Sequence, residues 1–130
     1  MLTVKTPVRI SFGGGGTDLP AYFEAHGGAV LSTTINKYLY GFVGPRTDGH
    51  VQVISSDERI FTTWEELATV DVRDTALEIP TAVLKELDCQ APVDLFLVSE
   101  VPAGTGLGSS ASVCVNSLQA MAAHLGLPLS

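Results

Sequence analysis

The chain has 130 residues, 45% of them hydrophobic and 16% charged, with a net charge of −7 and a mean hydropathy of +0.30. That length suits one domain able to bury a real core, and the low charged fraction argues against disorder. The acidic balance argues against a nucleic-acid partner, because such domains carry a basic face.

Nothing at the N-terminus (M-L-T-V-K-T-P-V-R-I-S-F) has the apolar run of a signal peptide, and no stretch is long enough to span a bilayer. No membrane partner is expected, and the cytoplasm is the default location. Cys89 and Cys114 lack C-x-x-C spacing and read as two reduced, mostly buried thiols.

Residues 3–12 alternate as a strand, with Pro7 confining that part to an edge or a bulge. The run Gly13 to Gly16 ends any regular element. A short helical turn follows, with Asp18 as its cap, Pro20 in its first positions and His26-Gly27-Gly28 at its end. Residues 29–44 are rich in β-branched and aromatic side chains and predict two strands. The Asp48-Gly49 pair then predicts a hairpin turn, completed by a strand over 51–56.

Between residues 57 and 78 the pattern is weaker: a strand and helical turn over 60–67, then a loop over 70–75. Pro80 with Val83, Leu84 and Leu87 predicts a helix. Residues 92–99 alternate as a strand with Asp94 toward solvent or an edge. Residues 109–125 predict a mostly buried helix, with Val113, Val115, Leu118, Met121, Ala122 and Leu125 as its apolar positions and Gly126 as its stop. Ser130 reads as an N-cap with no helix behind it, so residues 1–130 are expected to be the N-terminal part of a longer protein.

The stretch V-P-A-G-T-G-L-G-S-S-A-S (101–112) thus joins a strand to a helix. A helix start offers unpaired N–H groups and the positive end of the macrodipole, and glycines let the backbone approach a phosphate. A plain cap needs one serine and one glycine, so Gly104, Gly106 and Gly108 together point to an anion cradle. The spacing fits neither a Walker A loop, which needs a lysine, nor a dinucleotide fingerprint, whose third glycine falls here on Ser109.

The run Pro102-x-Gly104-Thr105-Gly106-Leu107-Gly108-Ser109-Ser110-Ala111 resembles the nucleotide-binding motif of the GHMP kinases. The segments P-V-R-I-S-F-G-G-G-G-T-D-L-P (7–20) and H-G-G-A-V-L-S-T-T-I-N-K-Y (26–38) resemble the same family, nearest its heptose 7-phosphate kinase branch. The resemblance implies an α+β fold, an α/β sandwich like the second domain of a ribosomal small-subunit protein, without the family's C-terminal ferredoxin-like domain. It implies ATP and Mg²⁺, with Pro102 and Gly104 to Ala111 around the nucleotide and Ser110 (Ser109 as second choice) on the metal. Arg9 would stand near the transferred phosphoryl group, a role for which a permanently charged guanidinium is suited. Gly15, Gly16, Thr17, Asp18 and His26 would hold a sugar or sugar phosphate, Asp18 accepting from its hydroxyls. Lys37 and Tyr38 are weaker candidates.

The implied activity is transfer of a phosphoryl group to a sugar hydroxyl, that of a heptose 7-phosphate first and of fucose or galactose as alternatives. The family's catalytic aspartate lies downstream of the nucleotide loop, so residues 1–130 alone are expected to be inactive. A rival reading is a non-catalytic module that binds an anion or self-associates through an open sheet edge.

Overall fold

The computed structural model describes residues 1–102 and 104–128; the expectation for Ser130 lies outside them. The elements are β1 (Leu2–Gly13), α1 (Pro20–His26), β2 (Leu31–Pro45), β3 (Val51–Ser55), β4 (Ile60–Trp64), α2 (Glu78–Glu86), β5 (Val93–Ser99) and α3 (Ser109–Leu125), with two 3₁₀ turns before α2. The strands form one sheet in the order β1-β2-β5-β3-β4. All pairs are antiparallel except β3 with β5. The result is a mixed α+β domain.

Alternation places one face of each strand inward. Val43, Val53, Val93, Leu95 and Leu84 of α2 are buried with Met121 of α3 in a single core. Burying each such side chain contributes about 1.5–3 kcal/mol. Pro7 sits where β1 slips register against β2, so the missing N–H falls at an irregularity as expected.

Three expectations are corrected. Residues 31–45 form one strand rather than two. The turn at Asp48-Gly49 exists, with Gly49 at φ +83°, but closes no hairpin. Instead β5 inserts between β2 and β3, and the 46–50 loop straddles its start: Arg46 N–H donates to Pro92 O (3.1 Å) and Val93 N–H to His50 O (3.2 Å). A turn signal specifies a reversal of the chain but not which strand becomes the neighbour.

The third correction concerns α3. Val115 is 46% exposed, and the face on the sheet carries Ser112, Asn116, Ser117 and Ala120 beside Met121. Small and polar residues allow the helix to lie close: a Cβ on Gly41 of β2 would come within 1.9 Å of Asn116 Oδ1.

Candidate nucleotide site

The loop between β5 and α3 owes its shape to its glycines. Gly104, Gly106 and Gly108 take φ of +77°, +72° and +75°, while Thr105 and Leu107 between them remain at negative φ. Such alternation of sign along the backbone is the φ pattern of the anion-binding arrangement called a nest. A side chain at any of the three glycine positions would be strained. Gly108 is the N-cap of α3, and no side chain caps the helix. Ser109 and Ser110 are therefore its first helical residues, which corrects the alternative that either hydroxyl serves as the cap. Thr105 Oγ1 donates to Pro102 O at 3.0 Å, bracing the loop on its outer side. Ala111 is exposed on the first turn.

Arg9 meets this loop. Its N–H leaves the sheet ladder and donates to Leu107 O at 3.0 Å. The side chain runs past Gly108, where an added Cβ would lie 3.1 Å from Cγ and 3.4 Å from Cζ. The guanidinium is thereby held beside the helix start.

A cavity of about 350 Å³ opens next to the loop. Gly104, Ser109 and Ser110 form one side of it; Asp57 and Glu58 after β3 and Thr75 to Pro80 at the start of α2 form the other. These last groups were not singled out from sequence. The one local signal is the polar run Ser55-Ser56-Asp57-Glu58 directly after an apolar strand. Asp57 also accepts from Ser99 N–H at 2.9 Å, which ties that turn to the end of β5. The charged residues lining the cavity are Asp57, Glu58 and Glu78, all acidic. No basic side chain is among the residues lining the cavity, and Arg9 stands beside the helix start.

The second predicted group lies elsewhere. Gly14 and Gly16 have φ of +85° and +93°. Gly14 and Gly28 are also pressed against backbone, where a Cβ would come within 1.9 Å of Ala29 O and 2.0 Å of Thr17 O, respectively. Thr17 Oγ1 donates to Gly14 O (2.7 Å) and accepts from Ala29 N–H (3.2 Å), knitting the two glycine segments together. Asp18 does not cap α1; Leu19 holds that position, and the Asp18 carboxylate accepts from Gly16 N–H at 3.0 Å. Thr17 and Asp18 line an open groove with Phe23, Gly27, Gly28, Ala29 and Val30. Gly15 is exposed, and His26 packs its ring against Tyr22 with centroids 5.1 Å apart. Among the described residues no hydrogen bond joins this segment to the glycine-serine loop. Lys37 is exposed, and the Tyr38 ring lies under Lys5 Nζ, 3.7 Å from its centroid.

The acidic and basic residues of the 46–50 loop stand at the opposite end of β5. Arg46 bonds Asp48 and, at 2.6 Å, Asp94, and its hydrogen bond holds the Asp48 carboxyl well below the usual carboxylate range. Burial pushes the Cys89 thiol up from its ordinary value. Among the described residues, no cluster of His, Cys, Asp or Glu could by itself hold a metal ion, and no helix is long and apolar enough to cross a membrane.

A mixed sheet with helices packed on it, a glycine loop leading from a strand into a helix and an arginine packed against that loop make up the α+β domain. The family model for the GHMP kinases N terminal domain matches residues 74–130. Residues 74–130 are thus similar to the N-terminal domain of the GHMP kinases, and likeness to heptose-phosphate kinases extends over nearly the whole chain.

Over 98% of its length the chain is 32% identical to the D-glycero-alpha-D-manno-heptose 7-phosphate kinase of Campylobacter jejuni, of which it covers 39%. It is 30% identical over 95% of its length to the L-fucokinase/L-fucose-1-P guanylyltransferase of Bacteroides fragilis, covering 16% of that protein. The crystal structure of a D-glycero-D-manno-heptose 1-phosphate kinase from Bacteroides thetaiotaomicron superposes on all of the chain with a TM-score of 0.84 at 25% identity, the chain covering 44% of it. The chain therefore spans less than half the length of each of these relatives.

Proposed function

We propose that the protein to which this chain belongs transfers the γ-phosphoryl group of ATP to a hydroxyl of a sugar phosphate of the heptose 7-phosphate type. This chain supplies the nucleotide cradle. The observation that carries the reading is the run of three left-handed glycines leading into α3 with Arg9 packed against the third.

The charge distribution suggests how the nucleotide lies. Its phosphates sit on the nest and the first turn of α3, where N–H groups and the helix dipole favour anions. The nucleoside end points into the cavity, whose three carboxylates would repel phosphates but accept from ribose and base donors. Arg9 neutralises charge on the transferred group, and such positioning and neutralisation are most of what phosphoryl transfer requires.

The exposed Ser110 hydroxyl at the cavity mouth fits a hard cation that takes its other ligands from phosphates and water. Mg²⁺ bound there would supply further neutralisation of the phosphates. Asp18 and Thr17, on the groove beside α1, hold the sugar, with Gly15, Gly16 and His26 completing that side. The base that takes the hydroxyl proton comes from outside residues 1–130, and these residues alone are expected to bind nucleotide weakly and transfer nothing. Free fucose is the alternative acceptor, supported by the likeness to the Bacteroides fragilis protein.

The test is phosphoryl transfer by the full-length protein with Mg·ATP and a heptose 7-phosphate, fucose or galactose, followed by ³¹P NMR of the product. Turnover of the heptose 7-phosphate is expected to exceed that of either free sugar. ATP-independent behaviour with all three, together with no thermal shift on adding Mg·ATP, would overturn the reading.

A further inference from the structure

Helix α3 runs antiparallel along β1, and the two are stitched at three levels. Asn116 Nδ2 donates to Thr6 Oγ1 (2.9 Å), Val4 O (3.2 Å) and Leu39 O (3.2 Å), its two hydrogens shared among three acceptors. Four residues earlier, Ser112 Oγ donates to Pro7 O at 3.3 Å. Four residues before that, Gly108 lies against the Arg9 side chain, and Leu107 O receives the Arg9 N–H. From Asn116 back to Gly108 the helix advances about 12 Å, and its partners run along β1 from Val4 and Thr6 through Pro7 to Arg9, so the seam is continuous.

Asn116 is the anchor of this seam. It is fully buried, and its Oδ1 has no hydrogen-bond partner. That atom rests over Gly41, where any side chain would collide with it. The two carbonyl acceptors fix the amide orientation, because the reversed amide would set oxygen against oxygen. A buried amide that leaves one lone pair unmet is costly to retain, and a leucine of similar size would fill the space without that cost. What leucine could not do is tie α3 to the β1 backbone at one axial position.

We infer that Asn116 is a positioning residue: by locking α3 to β1 and β2 it sets the height of the glycine loop against Arg9, and hence the geometry of the phosphate cradle. The effect on catalysis rests on the nucleotide reading proposed above; the structural effect does not. Ser112 assists one turn nearer the loop.

The experiment uses the full-length protein carrying Asn116→Ala, with Val53→Ala, a core truncation in β3 far along the sheet, as a control for general destabilisation. Amide hydrogen exchange is read at Arg9 and across β5. In Asn116→Ala the Arg9 amide should exchange about tenfold faster while the β5 amides stay within about twofold, since local opening spares the core. In steady-state assays kcat should fall about tenfold and the affinity for a non-hydrolysable ATP analogue about fivefold, with the sugar KM within about twofold. Val53→Ala should change none of these ratios at an equal or larger loss of Tm.

Equal acceleration at Arg9 and β5, or kinetic losses matched by Val53→Ala, would overturn the inference. If Asn116→Ala does not fold, Thr6→Val removes one acceptor with little change of volume, and an unchanged Arg9 amide in that variant is equally decisive against it. Should the unsubstituted protein bind no nucleotide, the functional reading fails while the exchange at Arg9 still decides the seam.

Discussion

Arg9 and Gly108 pack so closely that a methyl group on the glycine would stand 3.1 Å from the arginine Cγ. Residues from β1 and from the loop before α3 thus meet, and the glycine's φ of +75° makes the contact possible.

Gly108→Ala is accordingly expected to weaken nucleotide binding. The left-handed backbone costs a non-glycine residue about 1–2 kcal/mol, and the methyl group displaces Arg9. Calorimetric titration of the full-length protein with Mg·ATP should show an affinity loss of about fivefold or more. Unchanged affinity would argue against the loop as a cradle.

The glycines at 13–16 are expected to separate into two kinds. Gly14→Ala places a Cβ 1.9 Å from Ala29 O at a φ of +85° and should destabilise the fold by more than about 2 kcal/mol in urea unfolding. Gly15 has neither a positive φ nor an atom within 4 Å of an added Cβ. Gly15→Ala should stay within about 0.5 kcal/mol. A fall in sugar turnover at that unchanged stability is the outcome expected if Gly15 lies against the acceptor.

The Arg46–Asp48 pair predicts a response to acid. The carboxyl pKa is depressed in the folded state, so the pair adds stability above the unfolded carboxylate value of about 4 and loses it as the pH falls further. Asp48 is 47% exposed, so the effect is small and screened by salt. The Tm difference between the unsubstituted protein and Asp48→Asn should shrink between pH 5 and pH 3. A constant difference would remove the pair from the acid response.

The two cysteines should differ in reactivity. Cys89 is 3% exposed with its thiol pKa raised by burial, whereas Cys114 is half-buried on α3. Reactivity follows the accessible thiolate. Mass spectrometry after brief iodoacetamide treatment should find the label on Cys114 first; preferential labelling of Cys89 would contradict the packing of the loop after α2.

Local elements were largely readable from local chemistry. Pro20 at the start of α1, Gly27 at its end, the alternation over 93–99 and the stop of α3 at Gly126 each follow from one or two residues acting on neighbouring backbone. What failed was non-local. The Asp48-Gly49 turn bends the chain as its residues demand, but the strand that fills the gap arrives from residues 93–99, and no short-range rule names it. The apolar positions over 109–125 predict a helix buried nearly all round. The structure buries Met121 and Ala122 together with Asn116 and Ser117 and leaves Val115 out, because close approach to Gly41 rewards small and hydrogen-bonding groups over bulk.

The candidate site divides in the same way. The glycine-serine loop is legible because its chemistry is contiguous: three left-handed positions and a helix start lie within residues 104–110. Asp57, Glu58 and Thr75 escape a reading of the sequence because a cavity wall assembled from separate turns leaves only a faint local trace, the polar run over 55–58. By itself the sequence determined the backbone conformations that only glycine, proline and cap residues permit, and with them the shape of the glycine-serine loop. The tertiary structure decided which strand lies beside which and that Arg9 meets Gly108. It also decided that an asparagine holds the helix in place, since these depend on contacts that form only when distant segments exclude water together.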